Sequence, residues 1–358
     1  MTLHTLAIEG FRNLEAAETR WHPRTNLIVG SNAAGKTSLL EAIHYLARLQ
    51  SFRTTRVRSL IRQGEESFRL VGRFGDSGRH VLGVEVSVRH RRIRLDGRDI
   101  HKRSDVVGCI PLQVLNQDAH LLIEAGPEHR RRFLDWGVFH VEQAYRNLLT
   151  QYHRLLRQRN AALRQGAEYR EIEPWDREMA AKAEAIDRMR QHHLRLLEAL
   201  LEDCLKDLVP LGDVRLQYRR GWSEETSLEA QLRERLGADR ERGFTHVGPH
   251  RADIGILVDE RMARDRLSRG QQKVLVSALV IAQLRLLCEL GGQTPLILVD
   301  DLPAELDAVY RERLFGLLDR LPVQRFITAI EPDQLPLPAG GHALFHVKHG
   351  RVDDVVYC

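Results

Sequence analysis

Gly30-Ser31-Asn32-Ala33-Ala34-Gly35-Lys36-Thr37 fits G-x-x-x-x-G-K-[ST], the phosphate-binding loop. Its neighbours suit the motif. Leu27-Ile28-Val29 reads as a short buried strand, and Ser38 to Leu46 has the apolar spacing of a helix. Strand, glycine-rich turn and helix is the order that phosphate chemistry needs. Gly30 and Gly35 let the backbone of Ser31, Asn32, Ala33 and Ala34 curl with its N–H groups inward, and the helix N-terminus adds positive charge. Lys36 would reach the β- and γ-phosphates, and Thr37 would place a hydroxyl on Mg²⁺.

A phosphate loop of this kind needs an acidic strand beside it. Pro295 to Val299 is a continuous apolar run ending in Asp300-Asp301. Parallel α/β sheets bind ligands at the C-terminal ends of their strands. Asp300 would hold Mg²⁺ directly or through water, and Asp301 would orient or deprotonate the attacking water. With Lys36 these are the candidate catalytic residues. Arg325 to Ile330 reads as a further buried strand.

At 358 residues the chain is expected to form two or three packed units. Its four cysteines are scattered with no C-x-x-C pair, which argues against a disulfide framework or a zinc site and suits a reducing cytoplasm. The apolar run Val274–Leu284 is too short to cross a bilayer, and no charged leader with an apolar core opens the sequence, so no membrane partner is expected. Residues 48–103 carry 15 Arg/Lys against six Asp/Glu, and residues 129–170 carry nine against three. That suggests a polyanionic partner, although a chain with 48 Arg and six Lys is equally a solvated arginine-rich surface.

Leu3 to Glu9 alternates as a strand, and residues 67–103 form an antiparallel β-region with turns at Asp76-Ser77-Gly78 and Asp96-Gly97 and with arginines on one face. Helical spacing runs from Val138 to about Gln165. Pro174 marks the start of a long helix from Trp175 to about Leu208. The two would pair as an arm. His192-His193 on that helix is read as surface, and His250-Arg251 as a structural turn or a contact. Ala343–Val347 and Val352–Tyr357 would close the sheet as a hairpin.

Leu267-Ser268-Arg269-Gly270-Gln271, ahead of an apolar helix, closely resembles the L-S-G-G-Q signature of ABC-type ATPases. Glu305-Leu306-Asp307 lies where that superfamily has its D-loop. An ATPase split by an arm is similar to the SMC-related branch. Within it the chain resembles the RecF family of bacterial recombination mediators. The residues that carry the likeness are Ile8–Asn13, Gly126–Asp135, Gly248–Asp253, Leu267–Gln271 and Asp300-Asp301.

The resemblance implies an α/β fold: an ABC-type ATPase head, mixed β-sheets plus a P-loop core, with an inserted helical arm domain. Residues 1–137 and 244–358 would form the head, and 138–243 the arm. It implies that Ser268, Gly270 and Gln271 of one subunit bind the γ-phosphate held by another, so that ATP closes a homodimer. Arg12 would join the nucleotide site, and one of Asn116, Gln117 or Asp118, with Gln117 the first candidate, would sense the γ-phosphate. It further implies a slow, DNA-dependent ATPase acting at single-strand gaps or duplex–single-strand junctions, working with RecR and RecO to load RecA. Asp301 is one methylene shorter than the superfamily's usual Glu, which fits slow hydrolysis. DNA-contact candidates are Arg89, Arg91, Arg92, Arg94 and Arg98 on the hairpin, and Arg130, Arg131 and Arg132. Other readings are an SMC-like chromosome-structural ATPase, a transporter-type ABC subunit and a small-molecule kinase. The short arm without a hook, the split head and the trans-acting signature respectively disfavour them.

Overall fold

Apolar runs without polar alternation form strands buried on both faces. Leu296–Val299 is such a strand; Thr25–Val29 and Gln324–Ala329 are likewise buried at every residue, although they carry Thr25, Asn26, Gln324, Arg325 and Thr328. In the computed structural model, which describes residues 2–301, 307–336 and 341–357, they are neighbours in one six-stranded sheet. Its order is Arg351–Tyr357, His342–Lys348, Thr25–Val29, Gln324–Ala329, Leu296–Val299, Leu112–Leu115. Every pairing is parallel except the closing hairpin of the first two. Val29 pairs with Ala329, and Val299 pairs with both Ile327 and Leu115. The register therefore delivers the phosphate loop, the acid pair and the segment after Leu115 to one edge.

The alternating sequences build a second, antiparallel sheet. Its order is Ala17–Arg20, Leu3–Glu9, Ser67–Phe74, His80–Ser87, Arg91–Leu95, Arg98–Asp99. Both turns lie where the sequence places them; Asp96 and Gly97 have φ 50° and 80°, as a two-residue hairpin turn requires. The helix Lys36–Arg48 is buried on nearly every face, and one core joins its Leu39, Ile43 and Leu46 to Leu6 and Leu70 of the antiparallel sheet and to Ile28 and Phe326 of the parallel one. Gly72 allows that approach: a Cβ there would stand 2.3 Å from Leu46 Cδ2.

By its contacts the chain divides into two compact units, Met1–Ala119 with Leu287–Cys358, and His120–Leu286. Both sheets described above lie in the first. The second contains the helices Pro127–Val141, Gln143–Arg164 and Tyr169–Leu208 and a three-stranded sheet of Arg261–Met262, Asp253–Val258 and Val214–Arg219.

Three expectations need correction here. The helical stretch from Val138 is two helices, broken at Glu142, whose φ −107° and ψ 104° are extended. The long helix begins at Tyr169, so Pro174 lies inside it; a capping box between Glu168 and Glu171 starts it earlier than the proline signal did. At 40 residues it spans about 60 Å. His193 is buried rather than on the surface, packed so tightly that a Cβ on Gly137 would meet its Nε2 at 2.4 Å. The apolar helix Arg269–Gly291 is long enough to cross a membrane by length and composition, but most of its apolar stretch is buried in protein.

Buried charge ties the second unit together. Arg159 is wholly buried and donates to Asp176 (2.6 Å), Asp239 (2.7 Å) and Thr245 Oγ1 (2.8 Å). Arg190 joins Asp135, the Tyr145 hydroxyl and the Pro249 carbonyl. His250 is structural: Nδ1 meets the Tyr152 hydroxyl at 2.6 Å and Nε2 the Thr245 carbonyl at 3.1 Å.

Two predictions concern this unit. Arg159→Ala strands two buried carboxylates and should cost about 3–5 kcal/mol, read by urea denaturation. A loss below 1 kcal/mol would contradict the clamp. Burial pushes the His193 pKa down from 6.5 to about 4. The unfolded chain therefore takes up a proton between those values that the folded chain refuses, so stability is full above pH 6.5 and falls as pH drops toward 4. In His193→Leu the slope of unfolding free energy against pH over that window should be smaller by up to one proton; an unchanged slope would refute the assignment.

Candidate functional site

The phosphate loop turns through positive φ at its two glycines and, against its residue type, at Ala33. Gly30, Ala33 and Gly35 have φ 155°, 63° and 119°. A Cβ on Gly30 would lie 2.2 Å from the Val347 carbonyl oxygen, so the closing hairpin presses directly against the loop. The Gly350 N–H donates to the Ala34 carbonyl at 2.7 Å. Lys36 Nζ donates to the carbonyls of Gly30 (2.7 Å) and Ser31 (3.1 Å), which hold it along the loop. Burial lowers its pKa, opposed by Asp301 and Asp300.

Across the mouth, Asp300 Oδ1 accepts from Thr37 Oγ1 at 3.0 Å and from Thr328 Oγ1 at 2.9 Å. The Asp301 N–H donates to the same Thr328 oxygen at 2.7 Å. One buried hydroxyl thus fixes both acids relative to Thr37. Burial raises the Asp300 pKa; the Thr328 and Thr37 hydroxyls and the Arg53 charge oppose this, while Asp301 adds to it. Asp301 itself has φ 54°, a left-handed conformation uncommon outside glycine, Asn and Asp. A cavity of about 320 Å³ is lined by Lys36, Thr37, Asp300 and Asp301 with Asn13, Asn32, Ala33, Gly35, Ser38 and Arg53.

The donors suit the expected ligands. A glycine-bounded loop, Lys36 and a helix N-terminus suit a polyphosphate. A hydroxyl and a carboxylate 3.0 Å apart form an all-oxygen pair, which suits Mg²⁺, an ion that fills its remaining positions with phosphate oxygens and water. No cluster of three His, Cys, Asp or Glu that could hold a metal occurs among the described residues.

Three residues of this site escaped the sequence. Thr328 is the last residue but one of the neighbouring parallel strand, so its position was legible although its role was not. Asn13 Oδ1 accepts from Ser38 Oγ at 2.8 Å under the loop. Arg53 was one arginine among many. Arg12, by contrast, does not line the cavity. Its guanidinium is bidentate on Glu41 at 2.8 Å and also donates to the Ser59 carbonyl. Gln117 is exposed at the start of a short 3-10 turn after Leu115, on the sheet edge where the Asp300 N–H donates to the Leu115 carbonyl.

In the second unit the signature opens the helix Arg269–Gly291. Ser268 Oγ accepts from the Gln271 N–H at 3.3 Å, and Gln271 Oε1 accepts from the Ser268 N–H at 3.0 Å: a capping box. Ser268, Arg269, Gly270 and Gln271 are all exposed, and the space beyond Gly270 Cα is open. Of the D-loop, Glu305 and Leu306 lie outside the described residues; Asp307 caps the helix Ala308–Asp319 through the Tyr310 N–H.

The arginine candidates divide. The hairpin arginines do not share one face, because strand alternation separates them. Arg91 lies on the Ile93 side, where its charge opposes the rise that burial gives the Tyr45 pKa, whereas Arg92 and Arg94 face outward and pair with Asp99 at 3.1 and 3.4 Å. Arg89, at the exposed turn, has no side-chain ion pair among the described residues, and Arg98 is exposed. Arg130 is buried and bidentate on Asp253, and Arg131 donates to the Ala252 carbonyl at 2.7 Å. Both serve the second unit's packing. Only Arg132 of the three is exposed, paired with Glu128 one turn back.

Residues 2–351 match the family model described as "RecF/RecN/SMC N terminal domain". The chain is 40% identical to the "DNA replication and repair protein RecF" of Chromohalobacter salexigens, covering 98% of this chain and 99% of that one. It is 40% identical to the protein of that name from Thioalkalivibrio sulfidiphilus, covering 99% and 100%. Among solved structures it is similar to one described as the recombination mediator protein RecF with ATP in the RecFOR pathway: TM-score 0.86, 26% identity, 100% and 97% coverage. An SMC head bound to the C-terminal winged-helix domain of ScpA, at TM-score 0.63 and 16% identity over 100% and 98% of the chains, shares the fold. The fold is thus the ABC-type ATPase head with mixed sheets that the sequence implied, and the chain belongs to the RecF family.

Proposed function

We propose that this chain binds ATP with Mg²⁺ in the phosphate-loop cavity, hydrolyses it slowly in a DNA-dependent manner, and acts in the cytoplasm, at the nucleoid, in DNA replication and recombinational repair. The ATP-bound form is a homodimer that grips DNA at single-strand gaps or duplex–single-strand junctions and, with RecR and RecO, helps load RecA. The observation that carries the nucleotide reading is the Thr37–Asp300–Thr328–Asp301 chain of hydrogen bonds at the loop mouth. The names of the relatives and of the ATP-bound neighbour support the setting in repair.

When bound, the metal ion would neutralise charge on the β- and γ-phosphate oxygens. The protein's own part is positioning. Lys36 exchanges two carbonyl partners for phosphate oxygens. Thr37 and Asp300 supply the metal's oxygens. Asp301 orients a water and accepts its proton on a carboxylate oxygen. Its short side chain is consistent with a switch rather than a fast enzyme, with turnover below about 10 per second. Ser268 and the N–H groups beside it, exposed at a helix N-terminus, are suited to the γ-phosphate of a second copy. Arg89 and Arg98 are the hairpin residues best placed for phosphate backbone. Arg92 and Arg94 would first have to leave Asp99.

Sedimentation velocity with ATP, with and without gapped DNA, tests this reading. Wild type should dimerise only with ATP, and Lys36→Arg and Ser268→Arg should stay monomeric. Ser268→Arg also removes a helix cap at about 1 kcal/mol, so its melting temperature is measured alongside. A folded Ser268→Arg that still dimerises would refute the trans-acting signature. In Thr328→Val both acids lose their shared hydroxyl. ATP affinity should stay within about threefold while single-turnover hydrolysis falls at least about tenfold. Equal loss of both would mean that Thr328 supports the loop rather than the acids.

A further inference from the structure

Glu41 lies on the helix that follows the phosphate loop, one turn beyond Thr37, and its side chain is fully buried. A buried carboxylate is costly unless donors and cations meet it. Arg12 Nε and Nη2 donate to its two oxygens at 2.8 Å each, and Ser51 Oγ donates to Oε1. The same Ser51 oxygen accepts from the backbone N–H of Arg53 at 2.8 Å and of Thr54 at 2.9 Å. Glu41 therefore orients the hydroxyl that fixes the backbone of Arg53.

The Arg53 side chain is held less tightly. Its Nη1 is 3.8 Å from Glu41 Oε2, and the side chain is 47% exposed. The residue lines the cavity beside Lys36, Asp300 and Asp301. Arg12 makes the two short contacts to Glu41, so the Arg53 guanidinium, at 3.8 Å, is the more loosely held partner of that carboxylate beside the phosphate cavity. A guanidinium with an anchored backbone and a loosely paired, half-exposed head is suited to bidentate phosphate binding.

We propose that Glu41 is a positioning residue for the nucleotide: through Ser51 it aims Arg53 at the phosphate oxygens held by the loop. The proposal rests on the nucleotide reading above and deepens it. A carboxylate that merely neutralised Arg12 would stabilise the fold without acting through Arg53.

A double-mutant cycle separates the two roles. The probe is a fluorescent ribose-labelled ATP titrated onto the full chain with Mg²⁺. The variants are Arg53→Ala, Ser51→Ala and Glu41→Gln, the last two also combined with Arg53→Ala, with Lys36→Ala as control and melting temperature measured for each. Arg53→Ala should weaken binding about tenfold, the loss of a charged hydrogen bond. Ser51→Ala and Glu41→Gln should each weaken it severalfold, and neither should weaken it further once Arg53 is gone. Losses that multiply in the double variants overturn the proposal. Should Glu41→Gln fail to fold, Ser51→Ala, which leaves the Arg12–Glu41 pair in place, carries the same cycle. Wild-type affinity in Lys36→Ala would overturn the nucleotide reading and this proposal with it. Lost affinity in Lys36→Ala together with multiplying losses would overturn the positioning role alone.

Discussion

The site depends on the parallel register of three fully buried strands, Thr25–Val29, Gln324–Ala329 and Leu296–Val299. Parallel neighbours finish on the same edge, so whatever follows each apolar run is brought to one place. After Val29 comes the phosphate loop; after Val299, the acid pair. Thr328 lies at the same level on the strand between them. A one-residue slip of that middle strand would turn Thr328 to the opposite face and separate it from both carboxylates. The apolar packing that makes the sheet continuous thus also sets hydrogen-bond distances near 3 Å in the site.

A small set of arginines acts as internal clamps. Arg12, Arg130, Arg159, Arg190 and Arg325 each pair with a carboxylate, and in every pair at least one partner is nine-tenths buried or more. The guanidinium can satisfy several fixed acceptors at once, and a single lysine could not replace the contacts of Arg159 to two carboxylates and a hydroxyl. The excess of arginine over lysine is therefore partly a property of the packing. The count of arginines, not the net charge, exaggerates how much basic surface is left for a nucleic acid, because each clamped pair already cancels in the net charge.

That explains what the sequence could and could not tell. The phosphate loop, the acidic strand, the hairpin turns and the signature helix were legible because each is a local pattern with a local cause. Glycines at positive φ, unbroken apolar runs and a Ser–Gln pair ahead of a helix are such patterns. Arg130 and Arg89 look alike in sequence. They differ only because Asp253, more than a hundred residues on, meets one of them. Thr328 and Ser51 act through oxygens whose partners come from other strands and loops. The start of the long helix was missed for a smaller reason: a glutamate capping box at Glu168 competed with a proline signal and won.

The closing hairpin has a consequence for how the protein is made. Residues 342–350 brace the loop at 30–37, with Val347 against Gly30 and Gly350 bonded to Ala34. Contacts so distant in sequence form late, because a long loop must close before they yield any stabilisation. During synthesis the first turn of the nucleotide pocket waits, unbraced, until some three hundred further residues have left the ribosome. A chain that lacks these strands would lack both contacts on the loop.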